Sequence, residues 1–304
     1  MKTKLLFVVF LILLPQKIYF AQWINPQSIQ TTVLIENESL KPHGTGFLLY
    51  DYNNSGSFIV VTCSHLIRKH KQFFVRVNAD SAIIKYFKEK NTPSIIFEKE
   101  KSIVSQGNVI FIVDLYNVDG SKLFVQDTTL DIAAFYLRNF QVEEKIDTLK
   151  SVYKVTNMLG IPKSQYSYRK DLSLGDEVYF IGFPFGIGTA MLVEPLIRSG
   201  SIAWLSKNSN EYLLDAFSFG GNSGSPIFQK IILGAKPGSL EWTPPKLVGM
   251  ITGHYGLTLD NILTQPNPME LKFEKDSVNL NFGLARCVYV DDILKLVNKL
   301  KFEK

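Results

Sequence analysis

Short apolar runs rich in β-branched and aromatic residues, each closed by turn formers, recur along this chain and direct it toward an antiparallel β architecture. A first set comprises TTVLIE from Thr31, GFLLY from Gly46, FIVVT from Phe58, FFVRV from Phe73, NVIFIV from Asn108 and IAAFYL from Ile132. Asn53-Asn54-Ser55-Gly56 and Val118-Asp119-Gly120 punctuate it. A second set comprises EVYFIGF from Glu177, PLIRSGSIAWL from Pro195, YLLDAF from Tyr212, PIF from Pro226 and LVGMIT from Leu247. So many short strands predict a barrel or a sandwich rather than strand–helix–strand units. The polar stretch from about Glu143 to Leu172 has little periodicity and reads as a connection between the two sets. From Asp291 onward, Ile293, Leu296, Val297 and Leu300 recur at helical spacing. They predict a terminal helix with Asp291 or Asp292 as N-cap and Lys299 and Lys301 near its positive-preferring end.

The segment FSFGGNSGSPIF, Phe217–Phe228, sets one serine among glycines. A tight turn through Gly221, Asn222 and Ser223 would converge backbone N–H groups on one small space, an oxyanion hole in which one donor is worth about 3 kcal/mol of barrier. Ser223 is then a candidate nucleophile. The FIVVTCSHL run ends with His65, and TTLDIAAFYL presents Asp131 at the head of a buried strand, where a carboxylate needs a partner such as an imidazole N–H. Each of the three has an ordinary structural reading alone, as a packed histidine, a capping acid and a turn serine. Together, in the order His65, Asp131, Ser223, they match neither the Ser-acid-His order of α/β-hydrolases nor the Asp-His-Ser order of subtilisins. Ser225 also breaks the GxSxG pattern of an α/β-hydrolase, whose acid and histidine would have to come from Glu241 and His254. His43, His70 and His254 keep the reading of packed side chains.

Four blocks, GTGF at Gly44–Phe47, VTCSHL at Val61–Leu66, LDIAAF at Leu130–Phe135 and GGNSGSP at Gly220–Pro226, resemble the trypsin-like, chymotrypsin-fold serine peptidases of the bacterial HtrA-like and glutamyl-endopeptidase-like type. KLVGMITG, Lys246–Gly253, resembles the strand that lines the cleft. The resemblance implies an all-β fold of two six-stranded antiparallel β-barrels with a C-terminal α-helix. The chain then divides into a signal peptide at 1–21, read from its apolar run, a first barrel at 28–150, a connection at 151–172, a second barrel at 173–290 and a helix at 291–304. It also implies acyl transfer on a protein or peptide substrate by a Ser223–His65–Asp131 triad, with the Gly221 and Ser223 N–H groups as oxyanion hole. No metal or organic cofactor is called for. Thr252 takes a supporting place behind the acid. Asn222 stands where digestive relatives carry an aspartate, so activation by a released N-terminal amine is not expected, and the chain after the fifth block is too short for a PDZ domain. Phe217 falls at the base of the primary pocket with Thr252 and His254 on its wall. No carboxylate awaits Lys or Arg there, although Asp215 is near in sequence. The pocket then takes small or apolar side chains, or His254 holds an acidic one. The competing reading is an exported, non-catalytic binding module on the same fold.

Composition narrows the setting. The net charge is +5, and because Lys2, Lys4 and Lys17 precede the expected cleavage point, the remainder carries 30 basic against 28 acidic residues, which offers no footprint for nucleic acid. Leu5–Leu14 is an unbroken apolar run behind two lysines, short for a membrane span and suited to a secretory leader cut after Ala21; an uncleaved anchor is the other reading. Export would make the protein secreted or periplasmic. Cys63 and Cys287 are the only cysteines, so an exported chain could pair them or bury both as thiols.

Overall fold

The computed structural model describes residues 27–52, 57–91, 94–105, 107–138, 141–146, 149–190, 192–230, 244–257 and 280–301. The expected leader at 1–21 lies outside them. The first lobe is one antiparallel sheet of β1 (Thr32–Glu36), β2 (Pro42–Tyr50), β3 (Ser57–Cys63), β4 (Gln72–Asn78), β5 (Ser94–Phe97), β6 (Ser102–Ser105), β7 (Asn108–Asp114), β8 (Phe124–Asp127) and β9 (Ile132–Arg138). The order across it is β5-β6-β7-β4-β1-β2-β3-β9-β8. The six runs expected from the sequence are the six consecutive central strands. Three short strands extend the sheet beyond six: the β5–β6 hairpin lengthens one end and β8 pairs outside β9 at the other. Period-two burial is clearest in β4, whose Phe73, Val75 and Val77 are buried between half-exposed neighbours.

The stretch expected as a connection contains a hairpin of β10 (Gln141–Ile146) and β11 (Leu149–Lys154). The second lobe is a closed barrel of β12 (Glu177–Gly182), β13 (Leu196–Leu205), β14 (Glu211–Asp215), β15 (Pro226–Gln229), β16 (Leu247–Leu257) and β17 (Leu280–Tyr289), in the order β12-β13-β14-β17-β16-β15. Strand β17, which no apolar run announced, closes it. One apolar cluster fills the first lobe and runs through Tyr179, Phe228 and Met250 of the second, while Phe180, Leu214 and Ile251 pack in another cluster built from the second lobe. The lobes are therefore welded by shared core.

Two helices differ from expectation. The terminal helix spans Val290–Val297; Tyr289, not Asp291 or Asp292, is its N-cap, and both aspartates lie in its first turn. They act there through their charge and through side-chain bonds: Asp291 accepts from the Arg169 N–H at 2.9 Å and Asp292 holds Lys295 at 2.8 Å. Val290, Ile293 and Leu296 carry its buried face into the first-lobe core. The helix Ser81–Glu89 was not foreseen: Asp80 caps it by accepting from Ala82 N at 2.7 Å, and Ile83 and Phe87, four apart, bury its apolar stripe. Among the described residues no helix is long and apolar enough to cross a membrane.

Candidate active site

The β3–β9 ladder ends on the pair Cys63–Ile132. Beyond it β3 turns into one helical turn, Ser64–Ile67, so His65 sits on that turn and not on the strand the sequence suggested. Asp131 stands just before β9 at φ 56°, a left-handed conformation that short polar side chains tolerate. Its carbonyl accepts from Ser64 N at 3.1 Å, which closes the junction. Its carboxylate then grips His65 twice: Oδ1 accepts the backbone N–H at 2.8 Å and Oδ2 lies 2.5 Å from Nδ1. A carboxylate in that place keeps the proton on Nδ1 and leaves the Nε2 lone pair available. Both side chains are half-buried.

The Phe217–Phe228 segment folds as the tight turn its glycines require. Asn222 N donates to Phe219 O at 3.0 Å and Ser225 N to Asn222 O at 2.9 Å. Gly221 has φ +95°, and a Cβ there would lie 2.2 Å from Phe183 O; at Gly224, φ +89°, it would lie 1.8 Å from Thr45 O. Neither position admits a side chain without moving backbone. Among the described residues the N–H groups of Gly221 and Ser223 have no acceptor, the condition an oxyanion hole demands. Ser223 is half-buried, and its Oγ makes no hydrogen bond to His65 among the described residues.

One residue that sequence reasoning passed over fastens this loop to the dyad-bearing strands. Thr45, in the GTGF block on β2, donates its N–H to Ser223 O at 2.9 Å and its hydroxyl to Gly221 O at 2.7 Å. Its own carbonyl receives the Thr62 hydroxyl at 2.6 Å, so the clamp is anchored to β3. A second tie runs through Ile251, whose carbonyl accepts from Gly224 N at 2.8 Å and from the Cys63 thiol at 3.4 Å. Only the motif around Thr45 signalled it, because its partners in the turn, Gly221 and Ser223, are more than 170 residues away.

A family model for the trypsin-like peptidase domain matches residues 44–231, from the GTGF block past the Ser223 turn. The chain belongs to the trypsin-like peptidase family. No curated protein matches it. Among solved structures it is similar to the MamO protease domain from Magnetospirillum magneticum in its apo form, at 13% identity and TM-score 0.45 over 92% of this chain and 100% of that one. It is also similar to the HtrA-type protease AlgW with a tripeptide, at 13% identity and TM-score 0.44 over 90% of this chain and 60% of that one. The same protease with a decapeptide matches at 11% identity and TM-score 0.43, over 90% and 65%. The chain thus spans less than two thirds of the length of the AlgW chains.

Around the turn, the chain exposes an aromatic group. Phe217 is 51% exposed and Phe185 70%. Phe219 lies between them, its ring centroid 5.1 Å from Phe185 and 6.2 Å from Phe217, with the Arg198 guanidinium over its face at 4.9 Å. Phe217 rests against Gly283, where a Cβ would meet its ring at 3.3 Å. His254, on β16 opposite Ala285, is half-buried. Thr252 donates to Arg286 O at 3.3 Å rather than to Asp131, so its hydroxyl does not support the acid. Asp215 is the last residue of β14, paired with Ser201 and Leu284, and is held by the barrel ladder instead of a loop.

Cys63 and Cys287 are both buried and unbonded to each other. Burial pushes both thiols well above their usual range, and for Cys63 the Asp131 carboxylate adds to that shift. Ligand atoms of Cys63, His65 and Asp131 lie within 4.8 Å of one another, the one such cluster among the described residues. As it stands the cluster is hydrogen-bonded: both carboxylate oxygens are engaged by His65 and the thiol holds its proton. His43 lies near His65, and burial, then the charges of His70 and His65, lowers its pKa.

Proposed function

We propose that this serine peptidase is an exported endopeptidase that cuts through an acyl-enzyme formed on Ser223, with His65 as base and Asp131 as its orienting acid. The observation that carries the reading is the His65–Asp131 pair with its Nε2 left open, at the paired ends of β3 and β9 beside the strand from which Thr45 holds the Ser223 turn. In the first step Ser223 Oγ attacks the peptide carbonyl, its proton passes to His65 Nε2, and the Gly221 and Ser223 N–H groups hold the oxyanion. His65 then gives that proton to the leaving amine as the C–N bond breaks. Water, deprotonated by His65, releases the acyl group in the same way. Asp131 keeps the ring in the productive tautomer and stabilises the imidazolium.

For the primary pocket, the exposed Phe217 and its aromatic neighbours favour small or apolar substrate side chains. An acidic residue held by His254 is the second outcome. Export rests on the Leu5–Leu14 run, with the working unit divided at 28–150, 151–172, 173–290 and 291–304. Incubation of the purified chain with a peptide library is the test. Cleavage after apolar residues that disappears in Ser223→Ala supports the proposal. Cleavage dominated by Lys or Arg overturns the pocket assignment, and a folded wild type that cleaves nothing favours the binding module.

A further inference from the structure

Among the described residues the first-lobe sheet ends on a strand with one side unpaired. Strand β8 stands last in the order and, among those residues, ladders only with β9, so its outer edge offers backbone N–H and C=O groups to a chain laid beside it. Its approach is stitched to the end of β7 by the Tyr116–Lys122 bridge and by Leu123 N donating to Leu115 O at 3.0 Å. Past that stitch no ladder joins β7 to β8, and the lobe carries a groove of about 710 Å³ along the seam.

The lining is of two kinds. Phe111, Phe124, Val125 and Leu137 give an apolar floor, and Lys99, Lys101, Lys122, Lys299 and Lys301 stand exposed around it. Against those five lysines the groove lining has two carboxylates, Glu100 and Asp114, and Asp114 is already held by Lys101 and Gln72. The lining of this groove is therefore net positive, which favours an acidic occupant.

We propose that the β7–β8 seam binds an acidic, extended polypeptide segment by strand addition to β8. A strand has period two, so one row of its side chains would lie on the apolar floor while the alternate, acidic row meets the lysines. A polysaccharide or nucleic acid would use the cations and leave the strand edge and the apolar floor without a role. The seam is also tied to the dyad: Gln126 on β8 accepts from the Ser64 hydroxyl at 3.1 Å, and the turn from β8 into β9 carries Asp131. Binding there does not depend on the triad reading.

The test uses full-length Ser223→Ala and a fluorescein-labelled peptide about ten residues long, enough for one strand, that alternates Glu with Val. Its Lys-for-Glu counterpart serves as control. Anisotropy should report binding of the Glu peptide alone, lost at about 1 M NaCl, where the Debye length is about 3 Å. Lys122→Glu combined with Lys299→Glu should weaken it by about tenfold, two rim charges having been reversed. Hydrogen exchange on the parent should slow at Phe124–Asp127 when the peptide is bound, a readout that needs no variant. Equal binding of the Lys peptide, unchanged exchange at Phe124–Asp127, or heparin or phosphatidylglycerol vesicles displacing the peptide without themselves slowing that exchange would each overturn the proposal.

Discussion

The turn proposed to hold the oxyanion gives a sharp contrast between two adjacent glycines. Gly221→Ala places a Cβ 2.2 Å from Phe183 O and 3.2 Å from Phe185 N, both backbone, at φ +95°. The left-handed conformation alone costs roughly 1–2 kcal/mol for a residue with a Cβ. Relief of the contact requires a shift of about 1 Å, and misplacement on that scale costs on the order of 100-fold in rate. The same movement loosens the bond from Thr45 to Gly221 O, worth about 1 kcal/mol. The stability loss should therefore be about 2–4 kcal/mol, and the loss of one oxyanion donor should lower kcat by about 10²–10³. Gly220→Ala meets nothing within 4 Å and serves as the control, with stability changed by no more than about 0.5 kcal/mol. Thermal melts and kcat on a chromogenic peptide measure both. Equal effects of the two substitutions, or a folded Gly221→Ala enzyme at wild-type rate, would refute the assignment of the Gly221 N–H to the reacting oxygen.

Asp131→Asn should lower amide hydrolysis by a factor on the order of 10⁴ with a small change in Tm, because the amide cannot keep the His65 proton on Nδ1; kinetics beside a melt check both. Arg76→Ala should cost about 3 kcal/mol near neutral pH, since it leaves Glu36, 1% exposed and bound by Arg76 at 2.6 Å, as an unpaired buried carboxylate. Burial, opposed by Arg76, raises the folded Glu36 pKa, so the folded chain takes up a proton before the unfolded one and the deficit measured by urea unfolding should shrink as pH falls. Native protein should resist iodoacetamide near pH 8, where free thiols react with about their usual pKa of 8.5, and should show both thiols once unfolded without reductant; a single or no thiol would point to a bond between them.

What the sequence disclosed was local. His65, Asp131 and Ser223 each lie where an apolar strand meets a turn, and such junctions have composition of their own. The missed strands β5, β6 and β8 are four residues long and mostly half-exposed, so their alternation has no room to stand out. Helix Ser81–Glu89 escaped because Ile83, Ile84 and Phe87 are too few to separate a helical period from a short apolar run. The terminal helix was found by its stripe, but its cap was misjudged because two adjacent aspartates favour N-cap and first-turn positions alike. Long-range chemistry was invisible. The role of Thr45 follows from how the lobes dock, and the meeting of Phe185 with Phe219 from how the second barrel closes, neither of which a window of sequence contains.

The proposed chemistry depends most directly on the identity of the nucleophile. Reaction of the folded protein with a fluorophosphonate, followed by digestion and mass spectrometry, should give one phosphonylated peptide, with the adduct on Ser223 and none in Ser223→Ala or, at a comparable time, in His65→Ala. An adduct on a different serine, or no adduct on folded wild type, would contradict it.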